Sequence, residues 1–483
     1  MIVIFFNTVY IIHHRKLEKR EIEMKRYVLF VCLLLSGLAG VYAQSIAPFQ
    51  KGDRIAFVGN SITCGGHYHS YIWLYYMTRF PDQRIDIFNE GVGGDVAEMI
   101  YQRLDKVFEH EPTVVTLSFG MNDVGYMDFR KPGADTIARN RVEKACRDAL
   151  IEEVYKKYPE VRKILIGSSP YDETSRFNKV AFPGKNTPIL EIVDFLNARA
   201  RENQWGFVDF NRPMVAINQW EQAADSMYTL CGKDRIHPST DGHLVMAYLF
   251  LKAQGLAGKP VADIRIDGAG KKVTRSDNCR VSDLSVSSDN LTFTYEAKSL
   301  PYPIDTSYYD NEKHTQADAL SVIPFMDEMN YEGLSVSGLS DGYYGLTIGG
   351  EFIGRFTARE LERGINMALL QNTPQYKQAM KIRQMNEERW LKERKMREFY
   401  WVEYNLMRKT GMLWACNEAA VDTLRKYRPH DIFLQWNGDL WLQYMHKGIR
   451  EDCVNEQQDL VNRIYEQNKP IPLRIEIKKF TDL

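Results

Sequence analysis

Four short stretches of this 483-residue sequence hold residue types that can do chemistry. Gly59-Asn60-Ser61-Ile62-Thr63 places a serine hydroxyl directly after a β-rich run, where it is either a nucleophile or simply the cap of the next helix. Asn89-Glu90-Gly91-Val92-Gly93-Gly94-Asp95 offers three glycines, which let a backbone come close to a ligand and turn its N–H groups outward, as an anion site requires. The plainer reading is a sharp strand-to-helix turn. Gly120-Met121-Asn122-Asp123 supplies a side-chain N–H₂ donor suited to a developing oxyanion, a contribution of about 3–4 kcal/mol where one such donor has been removed. Asp234-Arg235-Ile236-His237-Pro238 sets a carboxylate three residues before an imidazole, on a loop that the proline keeps irregular, close enough to hold the ring in one tautomer. A lone loop histidine is usually just solvated; this one has an acidic neighbour and stands immediately before a helix.

These stretches matter only if a scaffold gathers them. From residue 52 to about 257, the β-rich runs Ile55–Gly59, Ile85–Phe88, Val114–Phe119, Ile164–Gly167 and Phe207–Phe210 alternate with helix-length segments near 68–80, 95–109, 136–157 and 188–203. In the last of these, Ile189, Ile192, Val193, Leu196 and Ala200 share one face. Such alternation predicts an α/β fold of parallel strands with helices on both faces, and in open α/β sheets the chemistry collects at the carboxyl ends of the strands. A dinucleotide site is disfavoured, because the glycine cluster follows the second run and the first turn lacks the glycine fingerprint. Past Gly258-Lys259-Pro260 the composition shifts to Val, Thr, Ser, Tyr and Gly, and Leu346–Ile348 and Glu351–Ile353 around Gly349-Gly350 predict a hairpin. Helical signals return from Thr357, and the charge-rich stretch 374–408 reads as a helix with a solvated face. The expected division is an export segment over 1–43, an α/β domain over 47–257, a small β-rich domain over 258–365 and a mainly helical region over 366–483.

Composition narrows the compartment and the partners. With 44% apolar and 12% aromatic residues the chain is not of disordered composition, and a net charge of −1 gives no long-range pull toward nucleic acid or an anionic membrane. Met24-Lys25-Arg26, the apolar run Tyr27–Leu38 and Gly40-Val41-Tyr42-Ala43 have the three regions of a secretory signal, with cleavage expected after Ala43 and the true start expected at Met24. The run is shorter than the ~20 residues of a spanning helix, so no stable membrane span is expected after cleavage. Leu29-Phe30-Val31-Cys32 lies too close to Lys25 to be a lipidation box. Loss of residues 1–43 removes six basic and three acidic side chains and takes the net charge from −1 to −4, which suits a periplasmic or secreted protein. None of the six remaining cysteines has metal-ligand spacing, so zinc is not expected; export makes disulfides an option, with about fifteen pairings of six cysteines open.

Taken together and in this order, the four stretches resemble the sequence blocks of the SGNH (GDSL-type) serine hydrolases. The GDS-like block corresponds to Gly59-Asn60-Ser61, the second to Gly91-Val92-Gly93-Gly94, GxND to Gly120–Asp123 and DxxH to Asp234–His237. One departure is Asn60, where the family usually has Asp, and the resemblance covers roughly 52–257, under half the chain. It implies a flavodoxin-like three-layer fold around a parallel sheet. It also implies Ser61 as nucleophile, His237 Nε2 as its base and Asp234 as the group that orients the ring. The oxyanion hole would comprise the Ser61 and Gly94 backbone N–H groups and the Asn122 side chain, with Gly93 the rival of Gly94. Water would resolve an acyl-enzyme without a metal or organic cofactor.

An exported member of this kind with a β module and a helical tail resembles bacterial enzymes that remove acetyl groups from polysaccharides. A carbohydrate O-acetylesterase acting on a small-molecule or polysaccharide ester is therefore the leading expectation, with Tyr308, Tyr309, Trp436 and Trp441 as candidates for stacking on sugar rings. Ordinary core is the plainer reading of those aromatics. The alternatives are a lipase, thioesterase or lysophospholipase, against which no extended apolar stretch suggests a lid, and a non-catalytic glycan-binding protein on the same scaffold, against which stand the intact Ser61, Asn122, Asp234 and His237. His67 and His69 lack a third metal ligand and are expected at the pocket entrance, and His243 is expected to be structural. For Cys64 and Cys231 two free buried thiols are the simpler expectation, with a bridge between them the alternative.

Overall fold

The β-rich runs of the first half form one sheet. A computed structural model describes residues 46–126, 129, 131–148, 156–177, 182–307 and 314–480; the expected export signal, Tyr308 and Tyr309 lie outside these. Strands β1 (Arg54–Gly59), β2 (Asp86–Gly91), β3 (Val114–Phe119), β4 (Arg162–Gly167) and β5 (Gly206–Asp209) pair in the order β2-β1-β3-β4-β5, all parallel. Ile55, Ala56, Phe57 and Val58 of β1 are all fully buried, so this strand reads as a continuous apolar run covered on both faces. Right-handed crossovers put helices on both sides of such a sheet. Helix α1 (Ser61–Gly65) follows β1 directly; α2 (Tyr68–Arg79) packs against α6 (Thr240–Ala253), and α3 (Ala134–Asp148) against α4 (Asn186–Asn203). Helix α5 (Asn211–Gln222), absent from the sequence expectation, precedes the Asp234 loop. The chain runs outward from β1 to β2 and then returns to β3, so the topological switch lies between β1 and β3, where a crevice opens at the carboxyl ends.

The helix expected over 95–109 is instead two single-turn helices, Ala97–Tyr101 and Leu104–Phe108. The break falls at Arg103, whose buried guanidinium turns inward: Nε donates to Asp95 Oδ2 at 2.7 Å, and Nη2 to the carbonyls of Glu90 and Gly59 at 2.9 and 3.1 Å.

The β-rich segment builds two sheets. The first has β6 (Ala262–Asp267), β7 (Lys272–Asp277), β10 (Glu332–Ser337) and β13 (Ile365–Asn366) in the order β13-β10-β6-β7. The second is antiparallel, with β8 (Cys279–Val286), β9 (Asn290–Ala297), β11 (Tyr343–Ile348), β12 (Glu351–Thr357) and β14 (Leu473–Lys479) in the order β12-β11-β14-β9-β8. The expected hairpin joins β11 to β12 through Gly349 (φ 59°) and Gly350 (φ 85°), two consecutive left-handed residues of the kind a tight primed turn needs.

The longer helices after residue 366 are α7 (Pro374–Val402), α8 (Glu418–Tyr427), α9 (Ile432–Tyr444) and α10 (Lys447–Gln467). The sequence sets the start of α7 locally: Thr373 caps it by accepting from the Tyr376 N–H, and Pro374 occupies its first position. The expected boundaries at 257/258 and 365/366 coincide with changes of secondary structure, and residues 262–367 supply most of a separate core, but segments cross between the parts. Strand β14, from the end of the supposed helical region, is the central strand of the five-stranded sheet, and its Leu473, Ile475 and Ile477 are buried there. Leu300, Tyr302 and Phe325, with Ile382 of α7 and Ile464 of α10, belong to the same core as β1–β5.

One buried carboxyl ties these layers together. Glu332 Oε1 accepts from the Tyr295 hydroxyl of β9 at 2.9 Å and from Gln375 Nε2 of α7 at 3.1 Å. Complete burial outweighs those hydrogen bonds and pushes its pKa up to about 7. The folded protein thus holds a proton that the unfolded chain releases above about pH 4.5, so the stability from this group is complete below that pH and is lost as pH rises through about 7. Glu332→Gln is expected to gain on the wild type by about 2–3 kcal/mol between pH 5 and pH 8. Urea unfolding at the two pH values measures it; a difference independent of pH would show that Glu332 stays ionised in the folded state.

Candidate active site

Ser61 is the first residue of α1, presented at the carboxyl end of β1. The turn that exposes it is set by Asn60, whose Oδ1 caps the helix by accepting from the Ile62 N–H at 3.0 Å. Asp would accept the same bond, which explains why Asn at this position leaves the turn intact. Gly59 and Gly91 pair across β1 and β2, and the backbone of Cys64 passes so close that a Cβ on Gly91 would lie 2.1 Å from its nitrogen. The glycine loop after β2 is thereby brought beside the serine turn, and the Val92 N–H donates to the Gly59 carbonyl at 3.0 Å.

The Asp234 loop reaches the serine from the other side. His237 Nε2 is 2.8 Å from Ser61 Oγ, and His237 Nδ1 is 2.5 Å from Asp234 Oδ2. The second carboxylate oxygen, Oδ1, accepts from the backbone N–H groups of Ile236 and His237, both at 2.9 Å. An ionised carboxylate can only accept, so Nδ1 carries the proton and Nε2 presents its lone pair to the Ser61 hydroxyl. Burial raises the Asp234 pKa, but the hydrogen bonds it accepts from the His237 ring and from the His237 and Ile236 N–H groups help hold it below its ordinary value. Such a chain lets a proton move from Oγ to Nε2 while Oγ attacks an acyl carbon.

Three N–H donors lie near the same turn. The Ser61 N–H, at the first helical position, has no acceptor within the helix. Among the described residues neither the Gly93 nor the Gly94 N–H donates a hydrogen bond. The two glycines differ: Gly94 is exposed at φ +83°, whereas Gly93 packs against Trp401, whose Cδ1 would be 3.1 Å from a Cβ. Asn122 Nδ2 donates to the Asp95 carbonyl at 2.9 Å, which ties the third donor to the glycine loop and leaves the second amide hydrogen over. Tyr126 donates to Asn122 Oδ1, and the Lys185 ammonium, buried beneath, donates to the carbonyls of Met121 and Gly125. Burial lowers the Lys185 pKa to about 7, and its Nζ sits 3.8 Å from the Tyr126 ring centroid.

A cavity of about 190 Å³ opens on Ser61 and His237. His67 and His243 line it, as do Trp390 and Arg394 of α7. His67 meets the expectation of a pocket residue; its ring stacks on Trp390 with centroids 3.8 Å apart. His69 does not: it is fully buried with Nε2 bonded to the Thr63 carbonyl, and burial lowers its pKa to about 4. Cys64 and Cys231 are free thiols; burial pushes Cys64 up to about 11 and raises Cys231 as well, so both stay protonated. Trp441 is core, its Nε1 donating to Glu403 Oε1 at 2.8 Å, so it cannot stack on a sugar; Trp436 is 66% exposed. Lys185, Trp390 and Arg394 went unread in the sequence, because each lies far along the chain from the blocks and has no motif of its own.

This geometry and fold define a serine hydrolase with an SGNH-type site, and comparison with known proteins agrees. The profile of the GDSL-like Lipase/Acylhydrolase family matches residues 57–245, and that of the diltiazem deacetylase C-terminal helical domain matches 380–469. The chain belongs to the GDSL-like lipase/acylhydrolase family and is an ester-bond hydrolase. A solved gut microbial diltiazem-metabolizing enzyme is 42% identical with a TM-score of 0.88, covering 91% of this chain and 100% of that one. An acetylxylan esterase from Geobacillus stearothermophilus is 23% identical over 227 residues, 42% of this chain and 95% of that protein.

Proposed function

We propose that the protein is a serine O-acetylesterase. The observation that carries this reading is the unbroken hydrogen-bonded chain Asp234–His237–Ser61 at the mouth of the cavity. Ser61 Oγ attacks the ester carbonyl as His237 Nε2 takes its proton, and His237 returns that proton to the departing alcohol. The N–H groups of Ser61 and Gly94 and the Asn122 amide hold the oxyanion. Water, activated by His237, then releases the acyl group. Acetate is the acyl group named by the diltiazem deacetylase domain profile that matches residues 380–469 and by the acetylxylan esterase. The proposed alcohol is a carbohydrate, which the signal-like segment 24–43 and the exposed Trp436 support. A polycyclic, drug-like alcohol is the second reading, favoured by the 42% identity to the diltiazem-metabolizing enzyme.

Acetate release from acetylated xylo-oligosaccharides and from diltiazem, with labelling by a fluorophosphonate, tests the proposal. Release by the wild type and loss of both signals in Ser61→Ala are expected. Cleavage of lysophospholipid or acyl thioester without acetate release would sink the acetyl assignment, and a wild type that never labels would point to a binding protein. Asn122→Ala is expected to lower kcat about 10²–10³-fold with KM nearly constant, because the donor acts on charge that develops only in the transition state. Export is part of the same proposal, and N-terminal sequencing of protein from its native host is expected to begin at Gln44.

A further inference from the structure

Helix α7 runs past the catalytic residues, and one of its faces is built of side chains that touch the site. Trp390, Arg394, Arg397 and Trp401 recur at spacings of four, three and four, and so share a face. Trp390 and Arg394 line the cavity that holds Ser61 and His237. Arg397 pairs with Glu90 of β2 at 3.0 Å, and Trp401 packs on Gly93. The stripe therefore extends from the cavity to the glycine loop.

The cavity wall also carries unmet hydrogen-bonding capacity. Trp390 is 2% exposed, and its indole N–H has no partner among the described residues. His243 Nδ1, on the same wall, is likewise buried and without a partner. Burial and the neighbouring His67, His69 and His237 hold the His243 pKa well below its ordinary value, so its ring is neutral and offers one donor and one acceptor. Buried polar groups are almost always satisfied, and two unmet ones on the wall of a single cavity beside a reactive serine mark a place for a polar ligand group. With the Arg394 guanidinium added, the wall is rich in donors and matches a neutral oxygen acceptor.

We infer that α7 is the specificity element of the enzyme: Trp390 and Arg394 bind the alcohol half of the ester through its oxygen atoms while Ser61 engages the acyl carbon. The inference rests on the proposed role of Ser61. It names a neutral acceptor on a ring-bearing alcohol, either a sugar hydroxyl or ring oxygen, or the carbonyl of a lactam. The helical region is then a wall of the active site rather than an appendage.

The test uses the full chain and two variants. Trp390→Phe keeps a ring over His67 and removes the N–H with the rest of the five-membered ring; Arg394→Gln removes the charge and shortens the side chain while keeping one N–H₂ donor. For each, kcat/KM is measured on acetylated xylobiose, on diltiazem, and on benzyl acetate, which has a ring but no further oxygen. The ratio of an oxygen-bearing ester to benzyl acetate is expected to fall about tenfold, mainly through KM, as for the loss of a hydrogen bond of about 1.4 kcal/mol. A fall confined to acetylated xylobiose identifies a sugar, and one confined to diltiazem a lactam carbonyl. Ratios within twofold of wild type in both variants, or a wild type with no preference over benzyl acetate, would overturn the inference. Fluorophosphonate labelling separates the two levels: if it persists, only the role of α7 has failed, and if the wild type neither labels nor releases acetate, the esterase reading has failed with it. Should Trp390→Phe not fold, Arg394→Gln, at a side chain 40% exposed, decides alone.

Discussion

Ser61→Ala is expected to lower kcat for acetate-ester hydrolysis by roughly 10⁴–10⁶-fold with KM changed only a few-fold, because the nucleophile is lost while the ground-state contacts remain. The residual rate would come from binding and from the oxyanion donors acting on attack by water. Asp234→Asn is expected to fall almost as far, by roughly 10⁴-fold, for a reason visible in the loop. The backbone N–H groups of Ile236 and His237 both demand an oxygen at the Oδ1 position. The asparagine N–H₂ would then face His237 Nδ1, force the proton onto Nε2 and remove the lone pair that accepts from Ser61. Single-turnover rates and fluorophosphonate labelling, with circular dichroism to show the fold retained, measure both. A Ser61→Ala enzyme keeping more than a tenth of wild-type kcat would place the nucleophile elsewhere.

Much of the site was legible in the sequence because its parts sit at the ends of strands whose pattern is strong. The runs ending at Gly59 and Phe119 match β1 and β3 to within a residue, and Ser61 and Asn122 follow them at the switch point. What stayed hidden depends on long-range pairing. Stretch 374–408 reads as a solvated charged face, yet Glu393 and Arg397 are buried, Glu393 Oε1 accepting from the Asn89 N–H at 2.8 Å and Arg397 lying 3.0 Å from Glu90. A charged side chain looks the same in a sequence whether water or a partner hundreds of residues away neutralises it. Strand β14 shows the converse. The alternation in Leu473-Arg474-Ile475-Glu476-Ile477 is plain, but nothing local says that it lies between β9 and β11.

Arg103→Met is expected to cost about 3–5 kcal/mol in urea unfolding, the range for removing one partner of a buried ion pair. The Arg103 side chain is 1% exposed, and so is Asp95 at 2.7 Å. Glu90 would keep Arg397 at 3.0 Å and His110 at 2.9 Å, but Asp95 has no other cation within ion-pair distance among the described residues. The loss should also reach the chemistry. Arg103 holds the carbonyls of Gly59 and Glu90, just before the serine turn and the glycine loop, while the Asp95 carbonyl anchors the Asn122 amide. Loosening this joint would spread the proposed oxyanion donors, so kcat is expected to fall even where the variant is fully folded, with KM less affected. Adding Asp95→Asn to Arg103→Met removes the stranded charge and should recover much of the stability. It should not recover kcat, because the missing guanidinium, rather than the stranded charge, held the two loops at their spacing. Joint recovery of stability and kcat in the double variant would mean that Arg103 neutralises Asp95 without positioning the site.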